Sequence, residues 1–257
     1  MRDHEQSTGP VDQARRLARS RFPGARAVVL AGSTASGRAT ATSDLDIAVL
    51  LDDGPGAETY RETIRHEGRV VELFVHTRTG LGELFAADVA ARRAVLQTMY
   101  VNGIVLADRD GAAAEARALA EADLLAGPPA LAPETVESKR YGLTDALDDL
   151  GDCADRVERL AVGGFVLGAA ADLLCDHRGT WLGGGKWLPR RLLDADAAHD
   201  TAHGAALLDG HLRLCEHDET APLVSAVSTV LALVGGPVRE GYRRTWHGVI
   251  DSVAARG

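Results

Sequence analysis

At 257 residues, with 46% apolar and 25% charged side chains, the chain is long enough for two modest domains, each burying a core of its own. A formal net charge of −9 argues against a broad nucleic-acid-binding surface, which needs clustered Lys and Arg, and suits cationic small molecules better. The first 22 residues hold no apolar run of the secretory kind, and the longest apolar stretch, 223–234, is too short and too interrupted by Ser and Thr to span a bilayer. Cys153, Cys175 and Cys215 are far apart and form no Cys-x-x-Cys. They predict reduced, buried thiols in a cytoplasmic protein with no membrane partner.

In chain order, helical spacing over 11–22 puts basic residues on an exposed face, and Pro23-Gly24 stops the pattern. Apolar runs predict strands over 27–31, 45–51 and 69–76, with a helix over 58–66 between the last two. A helix over 81–99, a fourth strand over 103–107 and a helix over 112–125 follow. Gly127-Pro-Pro-Ala-Leu-Ala-Pro133 is the best linker. Beyond it strand signals nearly vanish. Helices are expected over 134–150, 152–178, 188–193, 197–216 and 221–233, with a last one over 242–255. The expectation is an α+β chain: a sheet domain with flanking helices over 1–126, then an all-α helical bundle over 134–257.

The segment richest in chemistry is Gly32-Ser33, ten residues, then Asp44-Leu45-Asp46 at the opening of the second strand. Successive strand side chains point to opposite faces, so Asp44 and Asp46 share one. Two adjacent carboxylates repel unless a cation sits between them. Mg²⁺ suits the role, since it takes hard oxygen ligands from carboxylates and substrate phosphates. A Gly-Ser turn offers backbone N–H groups and a hydroxyl to a triphosphate tail. A site for two ions needs a further carboxylate. Glu72, 26 residues after Asp46 in the run Gly68-Arg-Val-Val-Glu-Leu-Phe-Val-His76, supplies one where an unpaired charge would be costly.

These five positions resemble the signature of the DNA polymerase β-like nucleotidyltransferase superfamily: Gly-Ser, ten residues, Asp-x-Asp/Glu, then an apolar strand with one carboxylate. The chain looks most like the aminoglycoside nucleotidyltransferases and the minimal nucleotidyltransferase proteins. The resemblance implies a small mixed sheet in which Gly32 and Ser33 hold the β/γ-phosphates of ATP or another NTP. It implies that Asp44, Asp46 and Glu72 are catalytic and bind two Mg²⁺ ions, with Glu72 serving also as base for the attacking hydroxyl. The implied reaction moves an NMP, AMP from ATP first among them, to a hydroxyl of a small molecule and releases pyrophosphate. Rival readings are a protein AMP-transferase of the antitoxin kind and a nucleotide sensor without catalysis.

The second half carries weaker signals. Asp145, Asp148, Asp149 and Asp152 fall at i, i+3, i+4 and i+7, one acidic stripe that reads either as a substrate wall for an aminoglycoside-like acceptor or as a solvated helix face. Among 28 basic residues only Lys139 and Lys186 are lysine, which singles them out as positions for a compact ammonium. By loose similarity to the antibiotic-modifying enzymes, Lys139 reaches the triphosphate; otherwise it pairs with Glu134 or Glu137. Lys186 lies in Trp181-Leu-Gly-Gly-Gly-Lys-Trp187, which lacks the Walker A spacing. That segment is either a loop that stacks on a base or sugar, or a helical corner with its tryptophans packed inward. His199 and His203 lack the Glu of a zinc-protease helix.

Overall fold

A computed structural model describes residues 9–40 and 42–245. The chain divides into two compact units, Met1–Pro128 and Pro129–Gly257.

In the first unit, Pro10 opens helix α1 (Pro10–Arg21), where its missing N–H and fixed φ do no harm. Strand β1 (Ala27–Ala31), the single-turn helix α2 (Gly32–Ala35) and strand β2 (Leu45–Leu51) come next. Strands β3 (Tyr60–His66) and β4 (Arg69–Thr77) form a hairpin. Helices α3 (Arg78–Ala90) and α4 (Val95–Asn102), strand β5 (Ile104–Asp108) and helix α5 (Ala112–Ala126) complete the unit. The five strands lie in the order β3-β4-β2-β1-β5. The β2–β4 pair is parallel and the other three are antiparallel, so the sheet is mixed.

Strand alternation divides the apolar residues between two layers. Val28, Leu30, Leu45, Ile47, Val49, Val71, Leu73 and Val75 pack with Ala14, Leu17 and Ala18 of α1. Ala27, Val29, Ala31, Ala48 and Leu50 pack with Leu81, Phe85, Leu96, Met99, Tyr100 and the alanine face of α5. Asp46 has the parity of Ala48 and Leu50, and therefore opens the second of these faces.

Two local expectations are corrected. Residues 58–66 hold strand β3, not a helix. Tyr60, Glu62, Ile64 and His66 alternate with Arg61, Thr63 and Arg65, and Glu67-Gly68 turns the chain with both residues at positive φ (48° and 82°), as a tight two-residue hairpin requires. The single helix expected over 81–99 is two, because Arg92 (φ 60°) and Ala94 (φ 49°) are left-handed; the Asp88 carboxylate then accepts from Leu96 N at 2.7 Å.

The second unit is all-helical: α6 (Pro133–Asp152), α7 (Arg156–His177), α8 (Trp187–His199), α9 (His203–His217) and α10 (Ala221–Leu233). Its core is built on Leu143, Leu150, Leu173, Leu174, Leu192, Leu207, Leu214 and Leu223. The break between the third and fourth of these helices falls at 200–202, later than expected. Left-handed Asp200 turns the chain there, and the Asp196 carboxylate accepts from Thr201 Oγ1, Gly204 N and Ala205 N at 2.8–3.0 Å. Of the helix expected over 242–255, residues 242–245 are not helical and 246–255 lie outside the described residues. Cys175 is buried, but Cys153 is half-buried and Cys215 exposed, so the expectation of buried thiols holds for one of the three. Among the described residues no helix is long and apolar enough to cross a membrane.

Candidate active site

Strand β1 ends at Ala31, opposite Asp46 of β2, and the chain turns at once through Gly32. Gly32 has φ +67°, and a Cβ built there would lie 1.8 Å from Asp46 Oδ2. Both the backbone conformation and the close approach of a carboxylate demand glycine. Ser33 follows, half-buried. Its carbonyl accepts from Arg38 N at 2.9 Å, and the Ser36 hydroxyl donates to Gly32 O at 3.0 Å. The loop returns to β2 through Ser43, whose carbonyl accepts from Arg69 Nη1 at 2.8 Å, so the residue before Asp44 is fastened to the start of β4.

The parallel β2–β4 register sets Asp46 directly beside Glu72. Asp44, Asp46 and Glu72 are all half-buried and each offers a carboxylate oxygen within 4.8 Å of the others; among the described residues they are the one group of three or more side chains so disposed. Three hard oxygen donors gathered in this way are the kind of set that could hold a divalent metal ion. Arg61, reaching across from β3, donates from Nη2 to Glu72 Oε2 at 2.6 Å and lies over the Phe74 ring at 4.7 Å. Four residues beyond Glu72 on the same face, His76 is buried 6.0 Å from the Tyr100 ring. Burial holds the His76 imidazole down to about 4 and pushes the Tyr100 hydroxyl up.

Residues 11–96 match the family model described as the nucleotidyltransferase domain. That stretch is similar to a nucleotidyltransferase domain. The match takes in α1 from its second residue, the Gly32-Ser33 turn and all three carboxylates. No curated protein matches. Among solved structures, a nucleotidyltransferase-like protein from Exiguobacterium sibiricum is similar at 13% identity and a TM-score of 0.44, over 87% of this chain and 74% of that one.

Outside residues 11–96, the other residues picked out in the sequence lie in the second unit. Lys139 on α6 pairs with Asp172 of α7 at 3.4 Å, rather than with Glu134 or Glu137. Lys186 is exposed, at the start of α8. Asp145, Asp148 and Asp149 are exposed along α6, and Asp148 is 2.6 Å from Arg239. Asp149 and Asp152 line a hollow of about 510 Å³ with Cys153, Ala154 and Glu158. Trp181 is buried, and Trp187 lies under the guanidiniums of Arg190 and Arg191 at 4.9 and 5.4 Å, an arrangement that uses both rings within the unit. His199 Nε2 is 3.2 Å from the Arg178 carbonyl. Arg61 was missed because its segment reads as a helix; the period-two alternation and the Glu67-Gly68 turn were the signals that would have placed it on a strand beside Glu72.

Proposed function

We propose that this nucleotidyltransferase domain transfers AMP from ATP to a hydroxyl of a small, amine-bearing molecule such as an aminoglycoside. The observation that carries the reading is the meeting of Asp44, Asp46 and Glu72 within 4.8 Å at the turn where only glycine fits against Asp46. In this reading Gly32 and Ser33 receive the triphosphate tail through backbone N–H groups and a hydroxyl. Asp44, Asp46 and Glu72 hold Mg²⁺. When bound there, divalent ions, two of them in the full reading, would offset negative charge on the phosphate oxygens.

The chain's own part is to orient the triphosphate and to take a proton. Glu72 accepts the proton of the acceptor hydroxyl. The freed oxygen forms a bond to the α-phosphorus as the bond from that phosphorus to the β-phosphate bridging oxygen breaks. Pyrophosphate leaves with the bonding pair. Holding the hydroxyl in line with the breaking bond supplies much of the acceleration. In the second unit, Asp145, Asp148 and Asp149 are the proposed binders of an amine-bearing acceptor, open to test by charge-neutral substitution.

The deciding experiment follows pyrophosphate release with Mg²⁺ and each NTP against aminocyclitols, lincosamides and other hydroxylated metabolites, using Asp46→Ala as the blank. Acceptor-dependent release with ATP that disappears in the variant is the expected result. Release that persists in Asp46→Ala overturns the site. NTP binding without release from any acceptor transfers the case to a protein target or a sensing role.

A further inference from the structure

We infer that Arg61 is a positioning residue for Glu72, an inference that rests on the carboxylate site described above. Arg61 lies on the edge strand β3 opposite Phe74, and Phe74 stands two residues from Glu72 on the same face of β4. The guanidinium is fixed twice: it stacks on the Phe74 ring at 4.7 Å, and its Nη2 donates to Glu72 Oε2 at 2.6 Å. Stacking limits the orientations the planar fork can take, which a lysine ammonium would not match. The Arg61 side chain is 62% exposed and that of Glu72 25%. Solvent-exposed pairs of this kind contribute little to stability, so the consequence of the contact lies in the geometry and charge of the site.

Glu72 is also the carboxylate assigned both a metal and a proton. Arg61 engages Glu72 Oε2, and Glu72 is one of the three carboxylates that each offer an oxygen within 4.8 Å of the others, so the contact restrains how this carboxylate is presented to Asp44 and Asp46. Hydrogen-bonding partners that orient a ligating side chain change metal affinity or activity by about 10–100-fold when removed. The competing role would be a stand-in cation that a divalent ion must displace. The two roles predict opposite signs.

The test titrates Mn²⁺ alone into the full chain without nucleotide and reads the free ion by electron paramagnetic resonance. Wild type, Arg61→Ala, Arg61→Lys and Asp46→Ala are compared, with thermal unfolding of each recorded alongside. Expected is Mn²⁺ affinity about 10-fold or more weaker in Arg61→Ala and intermediate in Arg61→Lys, with melting temperatures near wild type. Affinity that is unchanged or tighter in Arg61→Ala, while Asp46→Ala abolishes uptake, overturns the role of Arg61 and leaves the site standing. Equal uptake by wild type and Asp46→Ala overturns the site itself, and Arg61's role with it.

Discussion

Gly32 shows how much of a site one residue can decide. As part of Gly-Ser it reads in the sequence as a turn that offers N–H groups to phosphate. The structure adds a second requirement: its α-carbon runs against Asp46, and a methyl group there would sit 1.8 Å from Oδ2. Gly32→Ala therefore forces a left-handed alanine, at about 1–2 kcal/mol, and also pushes a carboxylate away from its two neighbours. Loss of pyrophosphate release by about 100-fold or more is expected, with a fall in melting temperature of only a few degrees. Near-normal turnover would mean that Asp46 can move without consequence. The clash joins the turn after β1 to a residue on β2, which is why spacing alone did not reveal it.

At the scale of elements, the site depends on how the β3–β4 hairpin is tied down. The buried Gln13 side chain on α1 donates from Nε2 to the carbonyls of His66 and Glu67 at 2.8 and 3.2 Å, and its Oε1 accepts from Arg69 Nε at 3.2 Å. Arg69 also holds the Ser43 carbonyl beside Asp44. One helix, one hairpin turn and the loop that presents Asp44 thus share a connected set of hydrogen bonds. Arg69→Ala leaves Gln13 Oε1 and the Ser43 carbonyl without this donor, a loss of about 1–3 kcal/mol. The expected outcome is a lower urea midpoint together with weaker Mn²⁺ uptake, since the loop before Asp44 is released; a lower midpoint with unchanged uptake would confine Arg69 to the fold. None of this was visible in the sequence, where 58–66 reads as a helix and Arg69 as the charge opening an apolar strand. A seven-residue segment is short enough that helical and strand periods both fit it, and only pairing with β4 settles the matter.

At the scale of the whole molecule, each unit has its own core, and the first carries a built-in sensitivity to acid. His76 is 1% exposed, with an imidazole held at about 4 instead of 6.5 by burial alone. Above pH 6.5 the ring is neutral whether the unit is folded or not, and its contribution is fully present. As pH falls below that value the unfolded chain takes the proton and the folded one refuses it. Stability then declines by about 1.4 kcal/mol per pH unit until the folded ring is itself protonated near 4. Urea titrations at pH 7.5 and pH 5 check this, with His76→Leu as comparison. Its dependence on pH is expected to be flatter over that interval, and an equal slope in the variant would place the sensitivity elsewhere.

Residue order alone was enough to carry the family resemblance and the division into a sheet unit and a helical one. The Gly32-Ser33 and Asp44-x-Asp46 spacing, the lone carboxylate in an apolar strand and the change from strand to helix periodicity after Gly127 are all local patterns. Local patterns are written in residue order. Folding settled which distant residues become neighbours: the parallel register that sets Glu72 beside Asp46, the edge strand that brings Arg61 onto Glu72, and the Asp172 partner of Lys139. Those contacts depend on strand order and helix packing. A residue's position along the chain carries no record of what lies across a sheet from it.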